Sequence, residues 1–233
     1  MLADLKNKVC LANIELMKRN LVILTWGNVS GFDKDSGLVV IKPSGVAYDQ
    51  LTPDNMVVID LEGRVIEGDL KPSCDMPTHL ELYKKYPELK GIVHTHSTFA
   101  TAFAQAGQSI LPYGTTHADY FHREIICTRA LTPQEVAENY EQNTGKVIVE
   151  ALAGSEITEN CGVLVKGHGV FAWAGSPMTA VDNAQTIEQI AKMAFLTRQI
   201  NTDVNSLESY ILDKHYERKH GKNAYYGQKG DNK

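Results

Sequence analysis

His94 and His96 carry the strongest chemical signal in this chain of 233 residues. They stand in Gly91-Ile92-Val93-His94-Thr95-His96-Ser97, a β-prone run. Side chains alternate faces along a strand, so the spacing predicts both imidazoles on one side of a sheet. Two neutral imidazoles on one face are half of a divalent metal site. A third histidine, His168, lies in Val163-Leu164-Val165-Lys166-Gly167-His168-Gly169, which reads as another strand ending at a histidine between glycines. Three histidines on two strands leave coordination positions open to a substrate, the mark of catalytic rather than structural metal. The competing reading is a pair of ordinary strand histidines, one of them satisfied in the core.

Three short polar segments share a second signal: Gly27-Asn28, Ser44-Gly45 and Ser73-Cys74-Asp75. Glycine lets the backbone approach an anion, and hydroxyls and side-chain amides donate to it. The same residue types dominate turns, and on pattern alone turn chemistry is the simpler reading of each. Lys42 adds a cation beside Ser44. Asp75 precedes a predicted helix that contains His79. It is either a helix cap or a carboxylate ligand or base beside a metal. His79 reads as a packing residue. Gly114-Thr115-Thr116-His117-Ala118-Asp119-Tyr120 is dense in titratable groups, either acid–base residues or a hydrogen-bonded turn. His122, His215 and His220 read as surface or C-terminal residues, with His215 placed to approach a site. The ending Ala224-Tyr225-Tyr226-Gly227-Gln228 pairs aromatics where tails are usually disordered. Such tyrosines dock on a surface, that of another subunit or of the chain itself.

These residues need elements to hold them. Leu5, Val9, Ala12 and Leu16 recur at helical spacing. Leu21 to Thr25 reads as a strand, as does Leu38 to Ile41. Met56 to Leu61 and Arg64 to Glu67 read as a hairpin turning at Glu62-Gly63. Helices are predicted around Pro77 to Tyr86 and from Phe99 to Ala106. Thr132-Pro133-Gln134-Glu135 is a capping box with proline at the first helical position. Ser176-Pro177 opens a helix whose Ala180, Ala184, Ile187, Ala191 and Ala194 form one apolar stripe. A last helix is predicted near Leu207 to Lys219. Several strands in succession argue against regular βαβ alternation. An α/β fold with a mixed, largely antiparallel sheet flanked by helices fits better.

Composition bounds the function. Hydrophobic content of 43% with 22% charged residues is that of a globular protein. The length favours one large domain, residues 1–233, over two small ones. A net charge of −5 argues against a nucleic-acid protein held by bulk charge, but a phosphate needs only a local nest of donors. Cys10, Cys74, Cys127 and Cys161 form no Cys-x-x-Cys pair, so neither a zinc ribbon nor a redox motif is indicated. Scattered thiols and an N-terminus without signal-peptide layout fit the cytoplasm. No apolar run reaches membrane-spanning length, so no membrane partner is expected.

Taken together, the segments resemble the class II aldolase and adducin-head family, and within it the L-ribulose-5-phosphate 4-epimerase branch. The resemblance spans nearly the whole chain. It rests on Thr25-Trp26-Gly27-Asn28-Val29-Ser30, Ile41-Lys42-Pro43-Ser44-Gly45-Val46 and the His94–His96 run, typical of the wider family. The branch is carried by Gly114 to Phe121 and by Lys219-His220-Gly221 through Tyr225-Tyr226-Gly227-Gln228.

The resemblance implies a single-domain three-layer sandwich. It implies that His94, His96 and His168 bind a divalent metal, zinc being the expected ion. Asp75 would be a metal-proximal carboxylate, a ligand or a base that yields when substrate binds. Asp119 and Tyr226 would be the two acid–base residues. Gly27, Asn28, Ser44, Gly45, Ser73 and Cys74 would form the phosphate-binding segments, with Lys42 close by. Tyr226 would reach the site of a neighbouring subunit in a homotetramer, so that the tail from 221 to 233 completes that site. The implied reaction interconverts L-ribulose 5-phosphate and D-xylulose 5-phosphate by cleaving and re-forming the C3–C4 bond. A class II aldolase on a related phosphorylated sugar is the alternative. A non-catalytic adducin-like interaction module is a third reading, and it predicts a lost histidine triad. One departure stands out: the family commonly has two serines where this chain has Ser73-Cys74, and a thiol donates more weakly than a hydroxyl.

Overall fold

The protein is described by a computed structural model over residues 2–226. Its centre is a sheet of β1 (Asn28–Asp33), β2 (Leu38–Ile41), β3 (Val57–Asp60), β4 (Val65–Glu67), β5 (Gly91–Thr95), β6 (Gly162–Val165) and β7 (Gly169–Ala174). The order across the sheet is β4-β3-β2-β1-β5-β7-β6. The sheet, expected to be mixed and largely antiparallel, is antiparallel at every pairing of these strands. Short turns join β1 to β2, β3 to β4 and β6 to β7, and a short turn permits only antiparallel neighbours. β5 enters between β1 and β7, pairing His94 with Asn28 on one side and with Phe171 on the other.

Helices cover both faces. They are α1 (Ala3–Lys18), α2 (Met76–Lys85), α3 (Thr98–Ala106), α4 (Thr115–Ala118), α5 (Pro133–Ala151), α6 (Pro177–Ile200) and α7 (Ser209–His220). On one face Leu16 of α1, Ala104 of α3 and the α6 stripe pack on Val29, Val93 and Val170. The small residues of that stripe are all buried, which lets α6 lie close to the sheet. On the other face Leu80 and Tyr83 of α2 and Ile148 of α5 pack on Ile92, Val163 and Phe171. The result is three layers. Among the described residues no helix is long and apolar enough to cross a membrane.

Helix ends follow the sequence signals. Thr132 Oγ1 accepts from Glu135 N at 3.2 Å while the Glu135 carboxylate accepts from Thr132 N at 2.7 Å, the expected capping box. Ser176 Oγ caps α6 by accepting from Thr179 N at 3.1 Å. Two expectations are corrected. Leu21 to Thr25 is not a strand: Leu24 has φ of 54°, so the chain turns there, and Ile23 and Leu24 point to solvent. The strand begins at Asn28 instead. The polar segment around His117 is a short helix, α4, in which buried His117 donates through Nε2 to the Arg123 carbonyl at 2.7 Å.

Candidate active site

β5 delivers His94 toward the α2/α5 face, on the same side as Ile92. His96 follows one residue beyond the strand. His168 sits on the tight β6–β7 turn rather than on a strand, where Gly167 at φ 74° reverses the chain. The ligand atoms of the three histidines all lie within 4.8 Å of one another. His94 Nε2 faces His96 Nε2 at 3.1 Å. A tetrahedral zinc ion with ordinary Zn–N bonds holds its nitrogens about 3.3 Å apart. His94 Nδ1 donates to the Val170 carbonyl at 3.0 Å, which leaves the Nε2 lone pair free to ligate. The Phe171 ring stacks on His94 at 4.3 Å. The triad therefore fits a metal site.

Electrostatics agree with that fit. Burial pushes His94 down to about 3, with the Asp75 carboxylate opposing the shift. Burial also lowers His96 and His168. Neutral imidazoles are the form that binds metal. Asp75 stands at the start of α2, where its side chain caps nothing. Burial raises its carboxyl, but His94, His79, His168 and the Asn28 amide outweigh that and hold it ionised. His79 is the packing residue expected of it: buried, and paired through Nδ1 with Ser30 Oγ at 2.7 Å.

A cavity of about 630 Å³ opens over the triad. It is lined by every residue expected to bind phosphate or metal: Gly27, Asn28, Lys42, Ser44, Gly45, Ser73, Cys74, Asp75 and the three histidines. The pieces are tied together by their own hydrogen bonds. Asn28 Nδ2 donates to Ser73 Oγ at 3.0 Å and to Asp75 Oδ2 at 2.7 Å. Ser73 N donates to the Lys42 carbonyl at 3.0 Å, and Ser44 N to the Lys71 carbonyl at 2.9 Å. Tyr48 Oη holds the Gly27 carbonyl at 2.7 Å. Gly27 has φ of 99°, and a Cβ there would meet the His94 carbonyl oxygen at 2.7 Å. The Asn28 Oδ1 is buried with no partner among the described residues, an acceptor left for a ligand hydroxyl. Lys42 is buried, donates to the Val46 carbonyl at 2.7 Å, and is pushed by burial to about 8, with Cys74 opposing.

Asp119 and Tyr226 do not line this cavity. They are held together elsewhere, between α4 and α7. Arg218 grips the Asp119 carboxylate with two hydrogen bonds, Nε to Oδ1 at 3.0 Å and Nη2 to Oδ2 at 2.8 Å. His215 Nδ1 reaches the same Oδ1 at 3.1 Å. The Arg218 guanidinium also lies over the Tyr226 ring at 4.8 Å, and Tyr226 N donates to the Arg218 carbonyl at 3.1 Å. Burial raises Asp119, but Arg218 and His215 lower it further, so the carboxyl sits below its usual value. The Tyr226 side chain is 52% exposed. Gly227 and Gln228 lie outside the described residues.

Two lining residues had no sequence signal of their own. Tyr140 and Glu141 of α5 face the cavity, and Tyr140 Oη lies 3.5 Å from His168 Nδ1. They follow Asn139, whose φ of −151° breaks the helix. The helical pattern of the segment does not mark that break.

Residues 7–195 match the Class II Aldolase and Adducin N-terminal domain family. The fold is similar to that of an L-fuculose 1-phosphate aldolase at 24% identity, covering 92% of this chain and 95% of that one, with a TM-score of 0.78. L-Fuculose-1-phosphate aldolase from Thermus thermophilus is 26% identical over 87% of this chain and 99% of its own, with a TM-score of 0.67. YgbL from Escherichia coli, for which aldolase, epimerase and decarboxylase are the alternatives, is 22% identical over 91% and 97%, with a TM-score of 0.73.

Proposed function

The chain belongs to the class II aldolase and adducin N-terminal domain family, and on that footing we propose that it is a metal-dependent L-ribulose-5-phosphate 4-epimerase. The observation that carries a sugar-phosphate reaction is the union in one cavity of a neutral histidine triad and a donor-rich nest around a buried lysine. His94, His96 and His168 would hold a divalent ion, zinc by ligand type, with Asp75 as a fourth ligand or a displaced base. When bound, that ion supplies Lewis-acid stabilisation of the negative charge left on the C1–C3 fragment by C3–C4 cleavage.

The chain's own residues do the rest. Lys42, Asn28, the Ser44-Gly45 turn and Ser73-Cys74 bind the phosphate and retain the glycolaldehyde phosphate half while it turns over. The Asn28 Oδ1 accepts from a substrate hydroxyl. Asp119 and Tyr226 exchange the proton on the C4 oxygen, one for each face of the aldehyde. Because these two share Arg218 and stand outside the chain's own cavity, they would enter the cavity of a neighbouring subunit as one unit, in a homotetramer. The rival reading, an aldolase, uses the same triad and releases the aldehyde. Free aldehyde product separates the two, and Asp119→Asn and Tyr226→Phe test the acid–base roles. The epimerase reading expects each to cut epimerisation by about 100-fold with metal content unchanged. Full epimerisation by both variants would remove them from the mechanism.

A further inference from the structure

We propose that Glu188 is a positioning residue of the metal centre, acting on His96 through the start of α3. The inference rests on the metal reading of the histidine triad. The three histidines are held unequally. His94 is fixed by its strand and by the Val170 carbonyl. His168 is set by the β6–β7 turn and faces Tyr140. His96 lies past Thr95, the last β5 residue paired with β7. It is the most exposed of the three, and its Nδ1 has no hydrogen-bond partner among the described residues. Apart from the Trp26 ring, whose centroid is 6.4 Å away, what orients it is the backbone on either side, β5 before it and α3 after it.

α3 is capped in an unusual way. Ser97, its N-cap residue, makes no capping bond, and its Oγ is buried without a partner among the described residues. Glu188, from the middle of α6, does the capping instead. Its Oε1 accepts from Phe99 N and its Oε2 from Ala100 N, each at 2.9 Å. Both are first-turn donors that the helix itself cannot satisfy. The clamp thus ties α3 to α6 three residues after His96. It also places a negative charge at the positive end of the helix dipole. Without it, the end of a helix adjoining the triad would oppose a divalent cation.

The test is Co²⁺ binding to apo-protein, read as the visible d–d spectrum and as affinity against a chelator, well below each variant's thermal midpoint. Glu188→Ala is expected to weaken Co²⁺ binding on the order of 10-fold and to alter the d–d bands. Glu188→Gln keeps the length and one acceptor, so it is expected to show a smaller loss in the same direction. Thr132→Ala removes the comparable cap of α5 and is expected to lower the thermal midpoint with an unchanged Co²⁺ spectrum. Wild-type affinity and spectrum in both Glu188 variants would overturn the inference, as would the same change in Thr132→Ala. If Glu188→Ala does not fold, a Gln variant indistinguishable from wild type overturns it alone. Failure of the wild-type protein to bind Co²⁺ removes the metal reading itself, and this inference with it.

Discussion

Lys42 sets the pH response of the cavity. Its ammonium is buried, donates to the Pro43 and Val46 carbonyls and lies 5.0 Å over the Tyr48 ring, and burial lowers it to about 8. In the folded protein the amine is charged below that value and neutral above it. Affinity for inorganic phosphate is therefore expected to fall as pH rises through about 8, and titration calorimetry on either side of that pH checks it. Lys42→Met should flatten the fall and weaken phosphate binding at neutral pH about 10-fold. The stability contribution has the opposite trend. Between about 8 and the ordinary lysine value the unfolded chain binds more protons, so this group destabilises the fold least at high pH. Cys74 lies at the same nest, where partial desolvation of its sulfur followed by the Asp75 charge raises its thiol. A neutral thiol is a weak donor, so Cys74→Ser is expected to leave phosphate affinity unchanged or to tighten it by about threefold. Weaker binding would show that sulfur is required. At the triad, His94→Ala, His96→Ala or His168→Ala should each leave the dialysed protein without stoichiometric metal, measured by elemental analysis.

At the scale of elements, the site depends on how tightly β1 is drawn against β5. Gly27→Ala forces a Cβ onto the His94 carbonyl and onto Val22, at a backbone angle that only glycine adopts easily. We expect a loss of about 2 kcal/mol or more in urea unfolding, with impaired metal binding because the clash falls on the backbone of a proposed ligand. The same geometry explains what the sequence could disclose. The shared face of His94 and His96 was legible because strand periodicity is strict. The place of His168 beside that pair was legible although its strand ending proved to be a turn, since the flanking glycines marked the reversal. The run from Leu21 to Thr25 misled because its apolar residues satisfy strand propensity. Positive φ at Leu24 and at Gly27 belongs to a turn that carries the chain into β1. Gly27, Ser44 and Ser73 could not be told from ordinary turn residues by pattern. Ser44 and Ser73 meet through long-range pairing of the 42–45 and 71–75 segments, seen in the Pro43–Pro72 bridge, and Gly27 joins them through the Asn28–Ser73 hydrogen bond. Tyr140 and Glu141 were invisible for the same reason: a helix break, not a residue pattern, turns them inward.

At the scale of the whole molecule, the arrangement divides the expected machinery in two. One part is the cavity proposed to hold metal and phosphate. The other is the Asp119–Arg218–Tyr226 cluster, joined through α7 to α4. If the parts meet only between subunits, co-assembled His94→Ala and Tyr226→Phe chains should recover activity that neither homo-oligomer has. Some mixed interfaces then join an intact cavity to an intact cluster. No recovery in proven mixed oligomers would place both parts in one chain's reaction. The decisive measurement follows L-ribulose 5-phosphate by ³¹P NMR with metal-loaded protein, before and after chelation. An epimerase gives conversion to D-xylulose 5-phosphate, loss of conversion on chelation, its return with added zinc, and no accumulation of glycolaldehyde phosphate. No conversion by folded, metal-loaded protein, or steady release of free aldehyde, would contradict the epimerase reading.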